Sequence, residues 1–162
     1  MSIFMKAFPF LLEAFFMLGA GLSIFGVKPN LKKIAFLGCI QGIVAFTVRR
    51  LYEIYHIPLG THSFLLILGF IVILRVIGKQ KWIVAVVAPL ASFLLLLLGE
   101  GVFMFNVFKA LNINFQEIAI NPYIRLFGTV LTCIPLAIVF VLGHVFNISV
   151  IDLNRLTKNE EV

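Results

Sequence analysis

Charged side chains are scarce in this sequence: of 162 residues, 12% are Asp, Glu, Lys or Arg, against 62% hydrophobic, and only seven are acidic. A soluble domain is roughly half apolar and about a quarter charged, so this composition cannot clothe a water-facing surface. Cysteine is scarce too. Cys39 and Cys133 lie far apart inside apolar runs, which excludes a local CxxC redox pair or thiolate metal site and reads as two small buried residues. The chain also lacks a nucleophile elbow, a phosphate-cradling glycine loop, an HExxH helix and paired catalytic aspartates. Ser63, Ser92 and Ser149 have no recognisable base partner. His56 and His62 flank a turn at a spacing unlike the i, i+4 pair of a metalloprotease, and His144 stands alone among apolar residues. These absences argue against an enzyme and imply no cofactor and no metal.

What the chain does have is apolar runs of membrane-spanning length. The clearest covers residues 82–108, with five consecutive leucines, Leu94 to Leu98, and one carboxylate, Glu100, near its far end. A charge in hydrocarbon costs about 2.5 to 3.5 kcal/mol on insertion scales, while each leucine returns about 0.3 to 0.6, so Glu100 needs a cation, a proton or the interface. Further spans are expected at 8–26, 31–48, 64–77 and 123–150, the last containing Pro135 as an expected kink. The amino-terminal run outlasts a signal peptide and contains Glu13, so it is read as a retained span. The expected fold is all-α: a polytopic bundle of about five transmembrane helices over residues 1–150, followed by a short polar cytoplasmic tail over 151–162. Between the last two spans, Asn114 and Glu117 resemble a capping box, and Phe115, Ile118 and Ala119 suit a short surface helix.

The formal charge of +6 does not signal nucleic acid, because lysines and arginines punctuate the ends of apolar runs instead of forming a patch. With the amino terminus outside, eight of the thirteen basic residues fall on the inner side and five on the outer. The positive-inside rule thus predicts an external amino terminus and a cytoplasmic carboxyl terminus in a cell membrane, with Arg49 and Arg50 voting the other way. This arrangement places Glu13, Arg49, Arg50, Glu100 and Arg125 near the outer end, as a structural ion-pair cluster or a ligand site, with Glu100 expected to pair with one of the arginines. Ala35, Gly38, Gly42 and Ala45 recur at helical spacing as a small-residue stripe, bordered by Gln41 and Arg49 and expected to pack within the bundle. Gly19, Ser23 and Gly26 form a similar face on the first span. The spans are too uniformly apolar to line a conduction pore.

Several short motifs give the chain a family likeness: the basic turn at Lys28 and Pro29, the pair Gln41 and Gly42, the double arginine at Arg49, the turn from Pro58 to His62, and the late FQEI segment. Together they resemble the membrane-sensor regions of quorum-sensing and sporulation-type histidine kinases of Gram-positive bacteria. Those proteins continue into kinase domains, whereas this sequence runs to Val162, so the resemblance implies a sensor without phosphotransfer activity of its own. The expected function is a small sensory or regulatory membrane protein. Its expected partners are the lipid bilayer, a cytoplasmic histidine kinase or phosphotransferase and, as an open case, a second copy of the chain. The competing reading is a structural or accessory subunit of a larger transport or respiratory complex.

Overall fold

A computed structural model describes residues 3–55, 57, 61–114, 121–146 and 148, and these hold helices and short connections with no strand. Helix α1 spans Ile3–Ile24 and α2 spans Leu31–Ile54. The third helix, α3, covers Thr61–Ile77 and ends in a π-helical turn at Ile73–Ile77. Helix α4 runs Trp82–Ala110 with a π-helical stretch at Gly99–Met104, and α5 covers Pro122–His144. The starts of α2 and α5 follow local chemistry. Asn30 and Asn121 each accept a backbone N–H two residues on, at 3.3 and 3.0 Å, and Pro122 opens α5 where its missing donor is not needed.

Four of these helices are long and apolar enough to cross a membrane: Lys6–Ile24 within α1, then α2, α4 and α5. Helix α3 is shorter, 12 residues of α-helix followed by 5 of π-helix. At about 1.5 Å per residue it reaches roughly 25 Å, just short of a hydrocarbon core of about 30 Å. Two expected boundaries move. Helix α2 does not end at residue 48 but continues to Ile54, which puts Arg49 and Arg50 inside the helix, and among the described residues α5 stops at His144 instead of reaching 150. His56, the turn at 58–60, the surface helix at 115–119 and the tail at 151–162 lie outside the described residues, as does Glu117 of the capping box.

Helix α1 is the hub, packed along α2, α4 and α5, while α3 closes the side between α2 and α4. Small residues permit each close approach. A Cβ added at Gly38 would stand 3.1 Å from the Cα of Phe15, and one at Gly42 would stand 2.9 Å from the Cα of Leu11. The pairs 38 with 15 and 42 with 11 make α1 and α2 antiparallel. On another face of α1, Gly19 lies beneath the Phe140 ring and Ser23 meets Gly143, so α5 runs parallel to it. Against α4, Gly21 abuts the Ala88 carbonyl, and the fully buried Ser92 hydroxyl lies 2.7 Å from the Met17 carbonyl and 2.8 Å from that of Ala88. Gly99, in the π stretch, abuts the Thr132 backbone of α5.

Of the expected stripe on α2, Gly38 and Gly42 are buried in the α1 contact and Ala45 is half-buried, but Ala35 is exposed. The physical reason is azimuth: the buried face of α2, Ile34, Leu37, Gly38, Gln41 and Gly42, is centred between Gly38 and Gln41, so Gly42 lies at its edge and Ala35 just beyond it, while Ile34, 1% exposed, lies inside. The glycines therefore serve packing inside one chain.

Candidate functional site

The antiparallel and parallel registers give the bundle two chemically different ends. One carries the start of α1, α3 and α5 and the finish of α2 and α4. The other holds the turns after α1 and α3. That second end carries Lys28, Lys32, Lys33, Arg75, Lys79 and Lys81, and no acid among the described residues. Its turns are self-capped: Lys33 Nζ donates to the Gly78 carbonyl at 3.0 Å, Arg75 donates to the Gln80 carbonyl at 2.8 Å, and the Arg75 guanidinium lies 5.0 Å from the Trp82 ring centroid.

All three described acids, Glu13, Glu53 and Glu100, sit toward the first end, among arginines. The closest interhelical pair there is Arg49 Nη2 with Glu13 Oε1 at 3.8 Å, joining α2 to α1. Their side chains are 32% and 17% exposed, so the pair lies between core and perimeter. Phe10, one turn from Glu13, is buried, and its ring takes two guanidinium groups, Arg49 at 4.8 Å and Arg125 at 5.0 Å from the centroid. The negative face of one aromatic ring thus helps hold two like charges near a single carboxylate. Arg125 feels the field of both Glu13 and Arg49.

Of the five charges expected in one cluster, the structure brings together Glu13, Arg49 and Arg125. Arg50 turns outward and bonds Glu53, three residues on, at 3.3 Å with both partners exposed. Glu100 is exposed and forms no ion pair among the described residues, although the charges of Glu13 and Arg49 reach it. The expected Glu100–arginine pair is therefore replaced by Glu13–Arg49. The reason is azimuth. Counting residues places Glu100 at a suitable depth, but Leu96 and Gly99 take the inward face of α4 and leave Glu100 on its outer side.

Beside the ion pair lies a small, partly open slot between α1, α2, α3 and α4, with a cavity volume of about 40 Å³. Its walls are mostly apolar; the polar lining consists of Glu13, Gln41, Arg49 and Ser63. Gln41 is 5% exposed, and its Nε2 donates to the Leu66 carbonyl at 3.2 Å, which fixes the amide so that Oε1 is left over. That oxygen is buried without a partner, and so is Arg49 Nε. Sequence reasoning placed Gln41 on a packing stripe and missed its part in a cavity. The available signal was an amide in the middle of an apolar run, where an unpaired polar group is expensive. Phe10 and Ser63 carried no comparable signal, since their roles depend on neighbours from other helices. No family model, no curated protein and no solved structure matches this chain.

Proposed function

We propose, first, a class: a polytopic membrane bundle in which all five helices, α3 included, cross the bilayer. The perimeter supports it. Phe36, Ile43, Phe64, Leu68, Leu94 and Leu97 are all exposed, and a water-soluble bundle with such a surface would aggregate. Helix α3 crosses by drawing on flanking Arg75 and Lys79, which snorkel to the headgroups. The end with six basic residues and no described acid faces the cytoplasm, which leaves the amino terminus outside and the carboxyl terminus inside. Single cysteines in a background lacking Cys39 and Cys133 test this: in intact cells an impermeant maleimide should label Asn112→Cys and spare Lys79→Cys until the membrane is opened. Labelling of Lys79→Cys in sealed cells would overturn the orientation.

Within that class, the chain acts as a sensory or regulatory module that reports an event at the outer half of the bundle to a cytoplasmic histidine kinase or phosphotransferase. One observation carries this reading: the polar groups of the slot are left open. An ion-pair tie that served only assembly would close its hydrogen bonds, since an orphaned buried donor or acceptor costs about 1 to 3 kcal/mol. Here Gln41 Oε1 and Arg49 Nε are orphaned side by side with an ion pair whose atoms stand 3.8 Å apart. Such a site is poised to change when something enters it. The test is recovery of the full chain from its native membranes, as wild type and as Arg49→Met, with its bound proteins and their phosphorylation. The expected result is a phosphotransfer protein whose phosphorylation differs between the two. Stoichiometric recovery of transporter or respiratory subunits, indifferent to Arg49→Met, would replace this reading with that of an accessory subunit.

A further inference from the structure

The six basic residues at the end opposite Glu13 come from two turns and the helix ends beside them, and the two turns are fastened together. Lys33, in the first turn of α2, donates from Nζ to the Gly78 carbonyl at 3.0 Å, reaching across to the turn between α3 and α4. The Gln80 side-chain amide donates to the same carbonyl at 3.1 Å, and Arg75 donates to the Gln80 carbonyl at 2.8 Å. These bonds fix where the charges stand. Lys79 and Lys81, on either side of Gln80, are exposed and form no ion pair among the described residues.

Lys79 is held there against its backbone preference. Its φ is 54°, in the left-handed region, just past the end of α3 where the Gln80 N–H closes on the Leu74 carbonyl at 3.1 Å. A residue in that conformation after a helix is ordinarily glycine, with asparagine next. A lysine costs conformational energy that glycine would avoid, so what the position gains is the ammonium group. Next to the charges the surface is hydrocarbon. Trp82, the only tryptophan of the chain, is 61% exposed, with its ring centroid 5.0 Å from the Arg75 guanidinium. Val76 and Ile83, next in sequence to Arg75 and Trp82, are 66% and 64% exposed. A soluble anion would meet only the charges, whereas a phospholipid meets both surfaces, the cations with its phosphate and the apolar side chains with its acyl chains.

We infer that the turn between α3 and α4, with Lys33 of α2 beside it, is a headgroup site for an anionic phospholipid. This rests on the membrane reading above and on no signalling partner, and it adds a selectivity for charge to the anchoring of α3. A zwitterionic headgroup brings an ammonium with its phosphate, and no acid among the described residues of this end can answer that ammonium. A headgroup whose only charge is its phosphate avoids the repulsion and keeps the attraction.

Trp82 supplies the probe. The purified full chain is reconstituted in phosphatidylcholine vesicles in which a fixed fraction of the lipid is phosphatidylglycerol or phosphatidylcholine brominated high on its acyl chains, and quenching of Trp82 reports which lipid lies against it. Phosphatidylglycerol is expected to be favoured about fivefold or more, the value of one basic residue near an anionic headgroup layer. Lys79→Asn suits the left-handed backbone, so it should leave Tm unchanged while lowering the preference, and combined with Lys81→Gln it should bring the ratio close to one. Lys109→Gln, at the far end of α4, removes as much charge as Lys79→Asn and should change nothing; an equal drop there would reduce the effect to net charge and overturn the inference. Replacing chloride by inorganic phosphate at equal ionic strength should also leave the ratio in place, and its loss would make this a site for a free anion instead. Equal quenching by the two lipids, or a preference that survives the double variant, would remove the lipid site and leave the membrane reading standing, because quenching by phosphatidylcholine alone puts Trp82 in the bilayer. Quenching by neither lipid would remove the membrane reading and the site with it.

Discussion

Replacing Gly42 by Leu is expected to lower stability in detergent by about 3 kcal/mol or more, the upper range for overpacking a well-packed contact. Two effects compete at this position. Glycine inside a helix is disfavoured by about 0.5 to 1 kcal/mol relative to alanine, so any larger residue gains that much locally. Against this, a Cβ at Gly42 would lie 2.9 Å from the Cα and 3.2 Å from the N of Leu11. Backbone atoms of the hub helix cannot rotate aside as a side chain can. The clash therefore wins, and α1 and α2 must separate along the seam that Gly38 shares. Gly101 supplies the internal control, for an added Cβ there meets nothing within 4 Å. Gly101→Ala should leave Tm unchanged or raise it slightly. Equal, small effects at both positions would mean that α1 and α2 do not meet through this seam.

The second large effect concerns Glu13 and Arg49. Removing one partner of a buried pair costs about 3 to 5 kcal/mol in soluble proteins, because the other charge is stranded. Arg49 retains about a third of its exposure and a second contact over Phe10, so about 2 kcal/mol is expected for Glu13→Gln. Arg49→Met should cost a similar amount, since Glu13 would then keep only the more distant Arg125 field. In the double variant both charges are gone, and the combined loss should fall short of the sum by about 1 kcal/mol or more. Glu100→Gln, by contrast, breaks no ion pair among the described residues and should show no coupling to either change. Additivity between Glu13→Gln and Arg49→Met, or coupling of Glu100→Gln to either one, would show that the polar cluster is centred elsewhere.

Much of this architecture is written along the chain, because what places a helix in a bilayer is local. Apolar length, the basic residues at 28–33 and 75–81, and caps such as Asn30 act within a few residues of themselves. For that reason the helical class, the approximate extents of α1, α3 and α4 and the GxxxG seam on α2 are legible in the sequence. Azimuth could not. Whether Glu13 or Glu100 meets Arg49, whether Ala35 or Ile34 fills the seam, and whether Gln41 packs or lines a slot depend on how each helix is rotated about its axis. That rotation is settled by contacts between residues far apart in the chain, such as Gly42 with Leu11, Gly99 with Thr132 and Ser92 with Met17. A turn of 100° per residue carries a side chain from core to perimeter in two steps, so depth alone leaves its neighbours undefined.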